Sequence, residues 1–106
     1  MPEAEIQERL RVIAVALGWG YYHTQRSRYS PSGYPDTTLW RPPRLAYVEC
    51  KRAGRVPTSV QRATLEQLSQ CGVACFVLWP GTVAPSCAPI EGVHFITLDE
   101  LGVVLG

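Results

Sequence analysis

Lysine is almost missing from this chain: nine of its ten basic residues are arginine, and Lys51 is the exception. Beyond Arg62 basic residues are absent altogether. Through that position ten basic residues face five acidic ones, whereas the remainder carries only Glu66, Glu91, Asp99 and Glu100. Such polarity suits an anionic partner on one side, although a solvated charged surface is the plainer explanation of the polarity taken alone. Arginine's planar fork fits phosphate; a lone lysine points to a place that needs a compact ammonium. There is no run of about 18 apolar residues, which excludes a membrane-spanning helix. The start, MPEAEIQERL, is acidic and amphipathic, unlike a secretory signal, so a cytoplasmic location is expected. The four cysteines, Cys50, Cys71, Cys75 and Cys87, include no Cys-x-x-Cys, and no paired histidines complete a zinc set. Without a secretory context they are expected to be buried thiols in a reducing compartment.

A chain of 106 residues has room for one core, so residues 1–106 are expected to form a single domain. Ile6, Leu10, Ile13, Ala14 and Leu17 recur at helical spacing, which predicts a first helix over Pro2–Leu17 closed by Gly18. The β-prone stretch Trp19–Arg28 predicts a strand, and Tyr29–Pro35 a loop. Asp36–Trp40 and Leu45–Lys51 predict a hairpin turned by Arg41-Pro42-Pro43-Arg44. Ser59–Gln70 predicts a second helix, with Val60, Ala63, Leu65, Leu68 and Cys71 inward. The continuous apolar run Val73–Leu78 predicts a strand buried on both faces, parallel to Leu45–Lys51 across a right-handed crossover. Phe95-Ile96 predicts a short last strand, and Thr97-Leu-Asp-Glu has capping-box form opening a short helix. The expected fold class is α/β, a small mixed central β-sheet flanked by helices.

Residues two apart on a strand share a face, so Glu49 and Lys51 project together and Cys50 projects oppositely. If Asp36–Leu39 pairs with Tyr47–Lys51, Asp36 lands near Glu49. Two facing carboxylates repel unless a cation sits between them, and a hard divalent ion with oxygen ligands fits. Taken singly, Glu49 and Lys51 read more readily as a surface pair on an edge strand, and Asp36 as a turn residue. Glu3 and Gln7 share a helix face and continue the inward stripe, which points the helix start toward the same place. Thr58-x-x-Gln61 matches a capping box, which explains Gln61 without catalysis.

The ordered set Gly33-Tyr34-Pro35-Asp36, Glu49-Cys50-Lys51, Gly54-Arg55 and Gln61 resembles the VRR-NUC family of the PD-(D/E)xK nuclease superfamily. The likeness runs over roughly Glu3 to Pro80 and is closest to the compact stand-alone viral and bacterial members. It implies a restriction-endonuclease-like α-β-β-β-α-β core and metal-dependent hydrolysis of DNA phosphodiesters in flaps or junctions. In compact members it implies homodimers acting on four-way junctions. Carried over, Asp36, Glu49 and the carbonyl of Cys50 would hold Mg²⁺ or Mn²⁺. Glu3 would add a further acid to that shell, and Lys51 would orient or deprotonate the attacking water, or steady the developing charge on the phosphoryl oxygens. Gln61 would sit near the active centre.

For DNA contact the candidates are Arg26, Arg28, Arg52, Arg55 and Arg62, with Arg52 and Arg55 foremost because they follow Lys51. Tyr29 and Tyr34 could stack on unpaired bases, although loop packing explains them too. His23 reads as structural, with a nearby phosphate contact as the alternative, and Trp19, Trp40 and Trp79 read as core or dimer-interface anchors. The apolar tail Val93–Leu105 or the aromatic stretch Trp19–Tyr22 would supply the dimer interface. Alternatives are a flap or single-strand-end nuclease, a non-catalytic nucleic-acid-binding module on the same fold, and a cysteine-based metal or redox protein.

Overall fold

A computed structural model describes residues 1–24, 33–82 and 85–106. The elements are α1 (Glu3–Ala16), β1 (Gly20–His23), β2 (Thr37–Arg41), β3 (Arg44–Cys50), α2 (Ser59–Gln70), β4 (Ala74–Trp79), β5 (Val93–Thr97) and α3 (Leu98–Leu105). The five strands form one sheet in chain order. β1, β2 and β3 pair antiparallel, whereas β3, β4 and β5 pair parallel. The sheet is mixed because the Pro-Pro turn joins β2 to β3 directly, while α2 must carry the chain back from β3 to β4. β3, the strand bearing Glu49, is therefore central and not an edge strand.

Each face of the sheet buries its own cluster. On one side Ile6, Leu10 and Ala14 of α1 and Leu101 and Leu105 of α3 pack on Leu39, Ala46, Val48, Cys50, Phe76, Leu78 and Ile96. On the other, Leu65 of α2 packs with Cys75, Val77, Trp79 and Ile90. β4 serves both clusters, which is why its sequence is apolar without alternation.

Several expectations need correction. β1 ends at His23, and Arg26, Arg28 and Tyr29 lie outside the described residues. In α2 the buried positions are Gln61 and Leu65, with Leu68 half-buried, while Val60, Ala63 and Cys71 are exposed. A helix that docks through a narrow stripe, one residue per turn, leaves its other apolar residues to solvent. The thiols of Cys50 and Cys75 are buried as expected, but Cys71 is exposed and Cys87 half-buried.

The tail is spent on the chain's own core: Ile96, Leu101 and Leu105 are buried, and Val103 faces solvent. Trp19 is buried too, and its Nε1 donates to the Leu105 carbonyl at 2.9 Å. Arg41 and Arg44 lie over its ring at 5.0 and 4.7 Å. Their guanidinium groups donate to the Leu17 and Val104 carbonyls, satisfying acceptors at the ends of α1 and α3. Trp79 is fully buried, whereas Trp40 is exposed and lies across Gly20. Among the described residues no helix is long and apolar enough to cross a membrane.

Candidate active site

The β2–β3 ladder runs from the Arg41–Arg44 turn to the pair Thr37–Val48. Asp36 and Glu49 are the next opposed residues. Beyond Asp36 the chain is tied to β1, since the Thr24 N–H donates to the Asp36 carbonyl at 2.7 Å. On the other side β3 pairs parallel with β4, Glu49 against Val77, and the pattern continues with the Lys51 N–H donating to the Leu78 carbonyl at 2.9 Å. Glu49 is 1% exposed and Lys51 8%. That burial removes the reading of the two as a solvent-facing pair, because a charged side chain is rarely buried on a surface strand.

The third carboxylate comes from α1. Gln7, one turn after Glu3, is buried, and its Nε2 donates to the Tyr21 hydroxyl at 2.7 Å and to Thr37 Oγ1. These bonds lock the start of the helix against β1 and against the residue next to Asp36. As a result carboxylate oxygens of Glu3, Asp36 and Glu49 lie within 4.8 Å of one another. Glu3 and Asp36 are half-buried and Glu49 is buried. Three carboxylates this close repel each other, and a cation relieves that repulsion. The donors are all oxygen, a set that suits a hard ion such as Mg²⁺ or Mn²⁺. Cys50 adds no sulfur, because its side chain points to the opposite face and into the core. Its thiol is pushed up, first by burial and then by the negative charge of Glu49, Glu3 and Asp36.

No family model and no curated protein matches the chain. Among solved structures it is similar to the small subunit of the heterodimeric restriction endonuclease R.BspD6I. The TM-score is 0.58 at 12% identity, over 98% of this chain and 67% of that one. The fold is restriction-endonuclease-like. The carboxylate cluster of this chain sits where the β2–β3 hairpin ends beside the start of α1.

The remaining candidates divide. Arg52 and Arg55 are exposed and, with Met1, Pro2, Ala53 and Gly54, line an open hollow of about 460 Å³. Gly54 turns the loop at φ +82°, a conformation costly for other residues. The loop is held from below, where Trp79 Nε1 donates to the Arg55 carbonyl at 2.8 Å. Arg62 is half-buried, and its Nη2 donates to the Pro89 carbonyl at 2.7 Å, bracing the segment before β5.

Gln61 completes a capping box. Its Oε1 accepts from the Thr58 N–H at 2.9 Å, and the Gln61 N–H donates back to Thr58 Oγ1 at 3.2 Å. Tyr34 is exposed, but its ring meets Tyr47 edge-on at 5.7 Å and its hydroxyl donates to that of Tyr47 at 3.2 Å. The Tyr47 hydroxyl is pushed up to about 12, by that hydrogen bond first and by burial next.

A second hollow was not foreseen. An open cleft of about 240 Å³ is lined by Glu3, Ala4, Gln7, His23, Thr24 and Asp36. His23, expected to serve packing, is exposed. Only the β1–β2 register, His23 opposite Thr37, brings it here, and nothing local in the sequence announces that pairing across the long connection.

Proposed function

We propose that this protein is a Mg²⁺- or Mn²⁺-dependent endonuclease that hydrolyses DNA phosphodiesters, a nuclease of VRR-NUC type. The carrying observation is the convergence of Glu3, Asp36 and Glu49, with the chain's one lysine two residues beyond Glu49 and also buried. A restriction-endonuclease-like fold, found in a subunit of a restriction enzyme, supports the same reading.

Asp36, Glu49 and Glu3, with the carbonyl of Cys50, would hold the metal, which when bound polarises a phosphoryl oxygen and lowers the pKa of water. Lys51 places its ammonium beside the developing charge on the phosphoryl oxygens, and its burial keeps that charge from being screened by solvent. Gln61 caps the start of α2, and a place near the active centre for the same side chain is part of this reading. Arg52 and Arg55, held by Trp79, take backbone phosphates of the bound strand. Branched DNA, four-way junctions first, is the preferred substrate. Two copies are required for paired cuts, since one chain carries one such centre among its described residues.

Purified protein with Mg²⁺ or Mn²⁺ is expected to nick branched DNA, to stop with EDTA, and to run as a dimer by light scattering. Asp36→Asn, Glu49→Gln and Lys51→Ala are each expected to lower cleavage by about 10²-fold or more while remaining folded. Cleavage by Glu49→Gln at the wild-type rate rejects the proposal. A gel shift without cleavage in either metal replaces it with a binding module.

A further inference from the structure

The cleft beside Asp36 poses an electrostatic problem. Two of its lining residues, Glu3 and Asp36, are carboxylates, yet a strand crossing the centre must lay a backbone phosphate beside them. Among the described lining residues, His23 is the group able to offset this repulsion. It is exposed, and it stands opposite Thr37 in the β1–β2 ladder, so it faces the α1 side, as Thr37 does. The Thr24 bond to the Asp36 carbonyl fixes its distance along the strand from the carboxylates. An imidazole donates at least one N–H whether neutral or protonated.

The sheet order sets the direction. His23 ends β1, Asp36 precedes β2, and Glu49 and Arg52 lie at the end of β3. His23 and the Arg52–Arg55 hollow therefore flank the carboxylates on opposite sides, with Met1 and Pro2 bordering the arginine hollow and Glu3 and Ala4 of α1 the other.

We propose that His23 is a strand-positioning residue that binds the backbone phosphate next to the scissile one, on the side of the centre away from Arg52 and Arg55. This rests on the endonuclease reading and adds to it the path of the substrate strand. His23 lies outside the group of carboxylates that converge within 4.8 Å, so its role is toward DNA and not toward the metal.

The test compares His23→Ala and His23→Gln with wild type on three probes. The first is a four-way DNA junction cleaved in Mn²⁺. The second is bis(p-nitrophenyl) phosphate, a diester with no neighbouring phosphate. The third is the same junction bound in Ca²⁺, read by fluorescence anisotropy. His23→Ala is expected to raise KM for the junction and its Kd in Ca²⁺ about tenfold. Turnover of the small diester and calorimetric Mn²⁺ affinity are expected to stay unchanged. His23→Gln, which keeps a donor, is expected to recover most of the loss. Unchanged junction KM and Kd in His23→Ala overturn the inference, as does equal loss on the small diester or a fall in Mn²⁺ affinity. If wild type cleaves neither substrate, the endonuclease reading fails, and the Ca²⁺ binding comparison still decides the role of His23.

Discussion

Asp36 and Glu49 occupy the first opposed positions beyond the last rung of the β2–β3 ladder, and their carboxylates converge with that of Glu3 to within 4.8 Å. Neither lies in the same element as the other or as Glu3. The sheet, the hairpin and the first helix must all be formed before the three charges meet. The centre is therefore a product of folding, and its occupancy feeds back on stability.

Metal binding is expected to stabilise the fold measurably. A ligand at 100 times its Kd contributes about 2.7 kcal/mol, which for a domain of this size is a rise in Tm of about 10 °C or more. Scanning fluorimetry with Mg²⁺ or Mn²⁺ should show that rise for wild type and lose most of it in Asp36→Asn. A wild-type Tm indifferent to both ions would remove the metal from this site.

Gly33 controls the approach to Asp36. It sits at φ +85°, and a Cβ there would lie 2.5 Å from Val60 Cγ1 and 2.9 Å from the Val60 backbone. Gly33→Ala combines a left-handed backbone cost with a clash, together about 2 kcal/mol or more. Val60→Ala relieves only the side-chain part, so the double variant is expected to recover partly in urea denaturation. Full recovery would mean that the backbone contact costs nothing.

Trp79 couples the core to the arginine loop. Trp79→Phe keeps an aromatic ring beside Phe95 but deletes the donor to the Arg55 carbonyl. The lost bond is expected to cost about 1 kcal/mol in chemical denaturation. The loosened loop is expected to raise KM for DNA more than it lowers kcat. A variant with wild-type KM would separate the loop from substrate binding.

The thiols report the packing. Cys71 is exposed and is expected to react first with a disulfide reagent such as DTNB. Cys50 is both buried and surrounded by the charges of Glu49, Glu3 and Asp36, which hold it in the unreactive thiol form, so it is expected to label only on unfolding. Early labelling of Cys50 in the native state, read by peptide mass, would contradict the burial of β3.

What could be read from the residues alone was local. The second helix runs over Ser59–Gln70 as expected because its capping box, Thr58 with Gln61, lies within a few residues, and such signals act without the rest of the fold. The burial of β4 was legible in its unbroken apolar run. The pairing of Asp36 with Glu49 was within reach because a short Pro-Pro turn leaves the hairpin little freedom of register. Other assignments required contacts between residues distant in the chain. That Arg62 braces the Pro89 carbonyl depended on where the segment before β5 passes. The outward turn of Val60, Ala63 and Cys71 depended on how narrow a stripe α2 needed against the sheet. His23 meets Glu3 and Asp36 only through strand order and register. Side-chain type and spacing act over one or two turns of chain, so they set the elements and name the chemistry. Which charged groups face one another is settled by packing, since only the closed sheet brings the ends of β1, β2, β3 and α1 to one place.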